Sequence, residues 1–576
     1  HKNSLVVAGP GTGKTRTISV LIAKQLEKGV RLKEILALTF SDKAASELRE
    51  RVLEYFPQSF DQCWISTFHS FCARILREQY YEVGIAPDFK LLNAFKESLL
   101  MSFICRRLDP SAFPEYGKVL TKRGFQQEAS TLIGILKSNL VTTEEFEDAI
   151  KNTPDLNKKT KNRCFELLNI YQQYEKERMK DNYLDYRDLI ALSIKVLKNP
   201  KIAEIYRKRY KVILVDEFQD TDPAQFLLLT LLKGESSDIK TAVIGDPRQS
   251  IYRFRGADPS MMTPKGQFKQ KYKASIFPLS QNYRSAKSIV KSATMLNWTE
   301  KLPTDGLLNP NSQEEGFIKY YKVKNEIEEA RVVGRQIANY LIYGNNGKKY
   351  KPSDVAILVR NNYQIDLIAE SLQTLHIPYL IAEDMKFFKA EEIITLVSLL
   401  KISGAIDEDM KESALQTAFL SPVFGLNPLW TQAISSEIAN NTNKISNILR
   451  LIENKEFSEL PETDEVNKNK AVDFVKVVRQ LESMNNEEIS SVISTAVSSV
   501  LSLLENASET TSRNILHLRN MLSDYSEVFL HTFRRKPLIA DLLPELEEWI
   551  NYYALNIELS ETILGLGLKL VFNEFL

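Results

Sequence analysis

The chain has 576 residues, 43% of them hydrophobic and 26% charged, with a formal net charge of +1. That length exceeds what one hydrophobic core supports, so several domains are expected, while a charge so near zero excludes a broadly basic surface and leaves only a local groove for a polyanion. No apolar run is long and uncharged enough to span a bilayer, and four scattered cysteines (Cys63, Cys72, Cys105, Cys164) with five unclustered histidines exclude a disulfide framework, structural zinc or an iron–sulfur centre.

The cysteine usage fits a reducing, cytoplasmic setting. Residues 5–8 run directly into a glycine-rich loop instead of a small-residue cleavage site, so export is not expected. Strand-like runs at 5–7, 35–39 and 64–67 are each followed by a helical pattern, beginning at Lys14, Lys43 and Ser70. This alternation predicts an α/β fold with a doubly wound parallel sheet.

The loop between the first strand and the first helix reads Ala8-Gly9-Pro10-Gly11-Thr12-Gly13-Lys14-Thr15-Arg16. Glycines there let successive backbone N–H groups face phosphates, and the helix N-terminus adds a favourable dipole. Lys14 is placed to reach the β- and γ-phosphates of ATP and Thr15 to hold Mg²⁺. Ala8 stands where such loops usually begin with glycine, a departure of one methyl group.

Residues 88–206 lose the alternation and read as a helical insertion. Within it, 157–163 is basic and reads better as a solvated helix face than as a duplex contact. Strand-like runs resume at 212–215 and 242–245, the first ending in Asp216 and Glu217. Parallel sheets place ligands at the carboxyl ends of their strands, so Asp216 is positioned to bind Mg²⁺ and Glu217 to take a proton from an attacking water. A polar connection, 301–316, leads to a second sheet region with strands expected at 318–321 and 355–359. From 401 onward only helices are expected, including a serine-rich but apolar-periodic stretch at 490–504, and no fixed-period repeat occurs.

With the phosphate loop and the acidic strand end in place, further blocks resemble helicases of the UvrD/Rep type within superfamily 1. Residues 38–45 resemble motif Ia, with Asp42 where Asn is common; 66–71 resemble motif Ib; 184–189 resemble the segment before the acidic strand. Residues 244–258 resemble motif III and 279–285 motif IV. The resemblance implies that Gln249 senses the γ-phosphate, that Tyr283 stacks on adenine and that Arg284 contacts the γ-phosphate, where a planar guanidinium stabilises phosphoryl oxygens. It also places Thr39, Phe40, Thr67, Phe68, His69, Tyr252 and Phe254 along a single-stranded DNA groove, with Ser70 and Lys43 as further phosphate contacts. Aromatic rings stack on any base, so grip without sequence preference is expected.

By the same resemblance the chain divides into a motor domain 1A (1–87 and 207–300), a helical insertion 1B (88–206), a partial second RecA-like domain 2A (316–400) and a helical insertion 2B (401–576). The implied activity is ATP- and Mg²⁺-dependent 3′→5′ unwinding in repair or recombination, on single strands and single-strand/duplex junctions, with repair or recombination proteins as partners and no membrane. Arg248 to Asp258 has the flavour of a RecB/AddA-type helicase–nuclease motor, a second reading; a non-translocating nucleotide- or DNA-binding scaffold is a third. The family's upstream glutamine segment and its two late motifs are not found, so the sequence is expected to be truncated at both ends. An arginine finger is commonly worth about a thousandfold in turnover, so these residues alone are expected to hydrolyse ATP poorly.

Overall fold

A computed structural model describes residues 3–55, 64–154, 156–235, 238–253, 256–296, 308–344, 348–361, 363–381, 387–404, 407–439, 444–461, 463–503 and 509–555. They form two compact units, one through Tyr320 and one from Tyr321 on. No helix among the described residues is long and apolar enough to cross a membrane.

The first unit is built on the strands β1 (Asn3–Ala8), β2 (Ile35–Thr39), β3 (Trp64–Thr67), β4 (Lys90–Leu91), β5 (Tyr183–Leu184), β6 (Val212–Val215), β7 (Lys240–Gly245) and β8 (Ser275–Leu279). Six of these form one parallel sheet in the order β3-β2-β6-β7-β1-β8. Its strands are apolar almost without interruption because both faces are covered, and β2 and β6 are buried along their whole length. Side chains alternate between the faces. Leu5, Val7, Leu36, Leu38, Ile213, Val215 and Val243 point to one side, and Val6, Ala8, Ile35, Ala37, Val212, Leu214, Ala242 and Ile244 to the other.

The helices of this unit are α1 (Lys14–Glu27), α2 (Asp42–Tyr55), α3 (Phe68–Glu78), α4 (Ala94–Arg107), α5 (Arg123–Ser138), α6 (Thr143–Asn152), α7 (Lys158–Met179), α8 (Tyr186–Leu197), α9 (Pro200–Arg209), α10 (Pro223–Lys233), α11 (Gln267–Tyr272) and α12 (Lys287–Thr294). Ile18, Ile22, Leu48 and Val52 of α1 and α2 cover one sheet face. Phe71, Ile75, Ile190, Ile194, Leu228 and Leu229 of α3, α8 and α10 cover the other. Each such side chain contributes about 1.5–3 kcal/mol on burial, and a charge at fully buried Val215 would break the seam.

The stretch expected to be a mainly helical insertion, 88–206, also contains a short parallel ladder, β4 with β5. It pairs residues more than ninety positions apart, a contact that local periodicity does not register. A second small ladder joins β9 (Gln281–Asn282) to β10 (Asn309–Pro310). Residues 301–307 of the polar connection lie outside the described residues.

In the second unit, helices Glu326–Tyr343 and Tyr363–Thr374 pack through Ala330, Ile337, Ile368 and Leu372. Helices then run from Glu391–Gly404 to Ile539–Leu555, and the serine-rich stretch is the helix Ile489–Leu503, with Val492, Ala496 and Val500 buried. The strands expected at 318–321 and 355–359 are not formed: neither segment belongs to a ladder. An apolar run becomes a strand only when a neighbour accepts its hydrogen bonds, and here Tyr320 and Leu358 are 87% and 94% exposed.

Candidate nucleotide site and nucleic-acid cleft

Because the six-stranded sheet is parallel, the carboxyl ends of β1, β2, β3, β6 and β7 share one edge, and the sequence-predicted groups of the first unit gather there. At the end of β1 the loop turns through Gly11 and Gly13 at φ 69° and 87°, values that L side chains rarely adopt. A Cβ on Gly11 would also lie 2.8 Å from both Arg284 Cβ and Asn282 Nδ2. The loop is closed by Thr12 Oγ1 donating to the Gly9 carbonyl at 2.8 Å. From the other side, Asn282 Nδ2 donates to the Pro10 carbonyl at 2.7 Å and the Tyr283 N–H to the Gly11 carbonyl at 2.9 Å. Tyr283 and Arg284 are thereby held against the phosphate loop, and the Tyr283 ring is 64% exposed, free to stack. No acidic residue occupies the first turn of α1, so its N-terminus opposes no anion.

Lys14 reaches across the edge, its Nζ donating to Glu217 Oε2 at 2.8 Å and to Gln249 Oε1 at 3.0 Å. Glu217 follows β6 in the left-handed region, φ 48° and ψ 44°, a strained conformation for a residue with a Cβ. Its Oε2 accepts a second bond, from Gln219 Nε2 at 2.8 Å, and the Gln219 carbonyl in turn accepts the Asp246 N–H at 3.0 Å. Gln249 Nε2 donates to Asp246 Oδ2 at 3.0 Å.

Burial, aided by the neighbouring Glu217 charge, pushes the Asp216 carboxyl up to about 6. A carboxylate that is buried beside another of like sign is eased by a divalent cation, and with the Thr15 hydroxyl the donors are all hard oxygens. The donor set fits Mg²⁺. The only other acidic cluster of metal-binding size among the described residues, Glu175, Asp185 and Asp188, is already filled: Lys137 Nζ bonds all three, at 2.8 Å from Glu175 Oε1 and 2.7 Å from Asp188 Oδ1.

Beside this sheet edge lies a cleft of about 1070 Å³, lined by Thr39, Phe40, Thr67, Phe68, His69, Ser70 and Tyr252, and also by Asp216 and Glu217. Phe40 and Tyr252 stack, with centroids 4.7 Å apart and planes at 26°. His69 meets Tyr186 edge-on at 5.4 Å. Burial first, and then the Arg187 charge, pull the His69 imidazole down to about 4, so it is neutral at neutral pH.

Not every predicted groove residue offers its side chain. Phe68 is buried in the core with Phe71 and Leu38, and the Thr39 and Thr67 hydroxyls are spent locally: Thr39 donates to the Ser41 carbonyl, and Thr67 caps α3 by accepting the Ser70 N–H. Lys43 and Arg16 are exposed on the first turns of α2 and α1. Phe254 lies outside the described residues. Two residues of the segment 184–189 to which the sequence assigned no role line the cleft, Tyr186 (44% exposed) and Arg187, which is paired with Glu97 at 3.3 Å. Their signal was present: both follow Asp185, whose side chain caps α8 in a reciprocal box with Asp188, at the carboxyl end of β5.

The N-terminal domain of UvrD/REP helicases matches residues 1–273, and the UvrD-like helicase C-terminal domain matches residues 277–547. The chain is similar to the ATP-dependent DNA helicase PcrA of Bacillus subtilis (strain 168), with 35% identity over 414 residues, 70% of this chain and 52% of the relative. It is also similar to the ATP-dependent DNA helicase PcrA of Staphylococcus aureus (strain Mu50), with 32% identity over 444 residues, 76% of this chain and 56% of the relative. The chain thus spans about half the length of the curated relatives it matches. The glycine-rich loop with Lys14, the acidic strand end and Gln249 at one sheet edge, read with these matches, establish that the chain belongs to the UvrD/Rep family of helicases.

Proposed function

We propose that the protein is an ATP-driven motor that moves 3′→5′ on single-stranded DNA and separates duplex at single-strand/duplex junctions, acting in repair or recombination in the cytoplasm. The observation that carries this reading is the continuity of the two sites: Asp216 and Glu217, beside Lys14, also line the cleft that holds the stacked pair Phe40 and Tyr252. The family's division into motor domain 1A (1–87, 207–300), insertion 1B (88–206), second motor domain 2A (316–400) and insertion 2B (401–576) is part of the proposal.

Lys14 is paired with Glu217. Arrival of a triphosphate gives Lys14 a more highly charged partner and draws it from Glu217, which frees that carboxylate to accept a proton from the attacking water. Arg284, held against Gly11, places a second cation at the γ-phosphate, and Tyr283 offers its face to the adenine. Thr15 and Asp216 would hold Mg²⁺, which supplies charge neutralisation at the phosphoryl oxygens. Phe40, Tyr252 and Tyr186 grip bases by stacking, and Gln249 shares its loop with Tyr252, so nucleotide state and grip change together.

The test is phosphate release by the full-length protein with and without oligo-dT, alongside unwinding of duplexes carrying a 3′ or a 5′ tail. Wild type is expected to hydrolyse ATP faster with oligo-dT and to open the 3′-tailed substrate, and Lys14→Ala to lose turnover by about a hundredfold or more. Undiminished turnover in Lys14→Ala would rule out this ATP site, and unwinding confined to 5′-tailed duplex would reverse the polarity.

A further inference from the structure

The bonds around Lys14 close into a ring. Lys14 donates to Glu217 and to Gln249; Gln249 donates to Asp246; the Asp246 backbone N–H donates to Gln219; and Gln219 donates back to Glu217, with every link between 2.8 and 3.0 Å. Four members of this ring belong to the phosphate loop, the acidic strand end or the loop after β7. Gln219 is the member that ties the last two together across 27 residues of sequence.

Its geometry is specific to that task. The Gln219 side chain is 2% exposed and both ends of its amide are in use, the NH₂ on Glu217 Oε2 and on Asp220 Oδ2 at 3.2 Å, the carbonyl on the Asp246 N–H. Turning the amide over would set its oxygen against the Glu217 carboxylate and its NH₂ against a donor, so only one orientation satisfies the site. The backbone has made room for it: a Cβ on Gly245 would fall 2.2 Å from Gln219 Oε1, although Gly245 does not have a positive φ and needs no glycine for its conformation. The carboxylate it holds sits on a strained left-handed residue, which persists only where neighbours over-determine it.

The ring also changes composition during the reaction proposed above. When a triphosphate takes Lys14, the Lys14 links to Glu217 and Gln249 are released together, and the Gln219 bridge is what still joins Glu217 to the loop that begins at Asp246. That loop leads to Tyr252, stacked on Phe40 in the cleft. A neutral amide suits the position: it orients the carboxylate without the cationic charge that would weaken its basicity.

Resting on the motor reading, we propose that Gln219 is a positioning residue that transmits the setting of the loop carrying Gln249 and Tyr252 to the Glu217 carboxylate, so that occupation of the nucleic-acid cleft aligns the group that activates water.

The experiment uses full-length protein with ATP, Mg²⁺ and saturating oligo-dT, comparing wild type with Gln219→Met, which keeps the volume and loses both bonds, Gln219→Glu, which keeps the acceptor and loses the donor, and Gly245→Ala, whose methyl displaces the amide. In all three, kcat is expected to fall by about ten- to a hundredfold while KM for ATP and Kd for oligo-dT stay within about threefold. Retention of kcat within about twofold in Gln219→Met overturns the proposal, as does a fall in kcat matched by equal rises in KM and Kd, which would mark general damage to the site. A wild-type protein that hydrolyses ATP no faster with oligo-dT overturns the motor reading itself, and shows this before any variant is compared.

Discussion

His69 shows how a single side chain in the cleft is tuned by what surrounds it. It lies in the first turn of α3, meets the edge of Tyr186, and stands near the Arg187 guanidinium and the Asp42 and Asp185 carboxylates. Burial and Arg187 disfavour the imidazolium more than the two carboxylates favour it, and the imidazole falls to about 4 from an ordinary value near 6.5. A group depressed on folding contributes stability that is complete above its unfolded value and is lost as pH drops towards its folded one. Between pH 7 and 5 the folded state should therefore lose about 1–2 kcal/mol through this residue, and His69→Gln should lose that much less over the same interval in urea denaturation. An equal pH dependence in the two proteins would mean that His69 is not held neutral. The residue types that carry local chemistry were legible in the sequence for a physical reason: the glycines, Lys14 and Thr15 act within one turn of chain. Gln219 was not, because its meaning lies in the Asp246 N–H on another strand end.

At the scale of elements, α5, α7 and α8 are joined by buried charge. Lys137 of α5 bonds Glu175 of α7 and Asp185 and Asp188 at the start of α8, and Arg178 of α7 bonds Glu175 and, at 2.9 Å, Asp188. Burial and the neighbouring Asp185 raise Asp188 above the usual carboxylate range, while Lys137 and Arg178 outweigh burial and hold Asp185 well below it. Removing the central cation leaves buried Asp185 without its ion-pair partner and Glu175 and Asp188 with Arg178 alone. Lys137→Met should lower the opening free energy of α8 amides in hydrogen exchange by about 3–5 kcal/mol, and a change under about 1 kcal/mol would show that water or a rearranged Arg178 takes its place. The spacing that marks an amphipathic helix predicted these helices, but nothing in it pairs position 137 with 185. The same limit explains the strands expected at 318–321 and 355–359: apolar composition is local, whereas a ladder partner is not.

At the scale of the whole molecule, a net charge of +1 has to be reconciled with the proposed single-stranded DNA track. The cleft is lined by more acidic than basic side chains, Asp42, Glu78, Glu97, Asp216, Glu217, Asp220 and Asp222 against Arg74, Arg77, Lys137 and Arg187. Its cations are largely engaged already: Arg74 with Glu78 at 2.7 Å, Arg187 with Glu97, Lys137 in its buried network, and Arg77 over the Phe89 ring. Few phosphates can be neutralised by such a surface, so the affinity has to come from stacking on Phe40, Tyr252 and Tyr186, each base contributing about 1–3 kcal/mol. Counterion release then sets a shallow salt dependence. With about two to four phosphates neutralised, log K for oligo-dT against log salt concentration should fall with a slope of about −1.4 to −2.8. Fluorescence anisotropy titrations across a range of potassium chloride concentrations measure that slope directly. A value steeper than about −5 would place the main contact on a basic surface outside the cleft, and stacking would then be the lesser part of the grip.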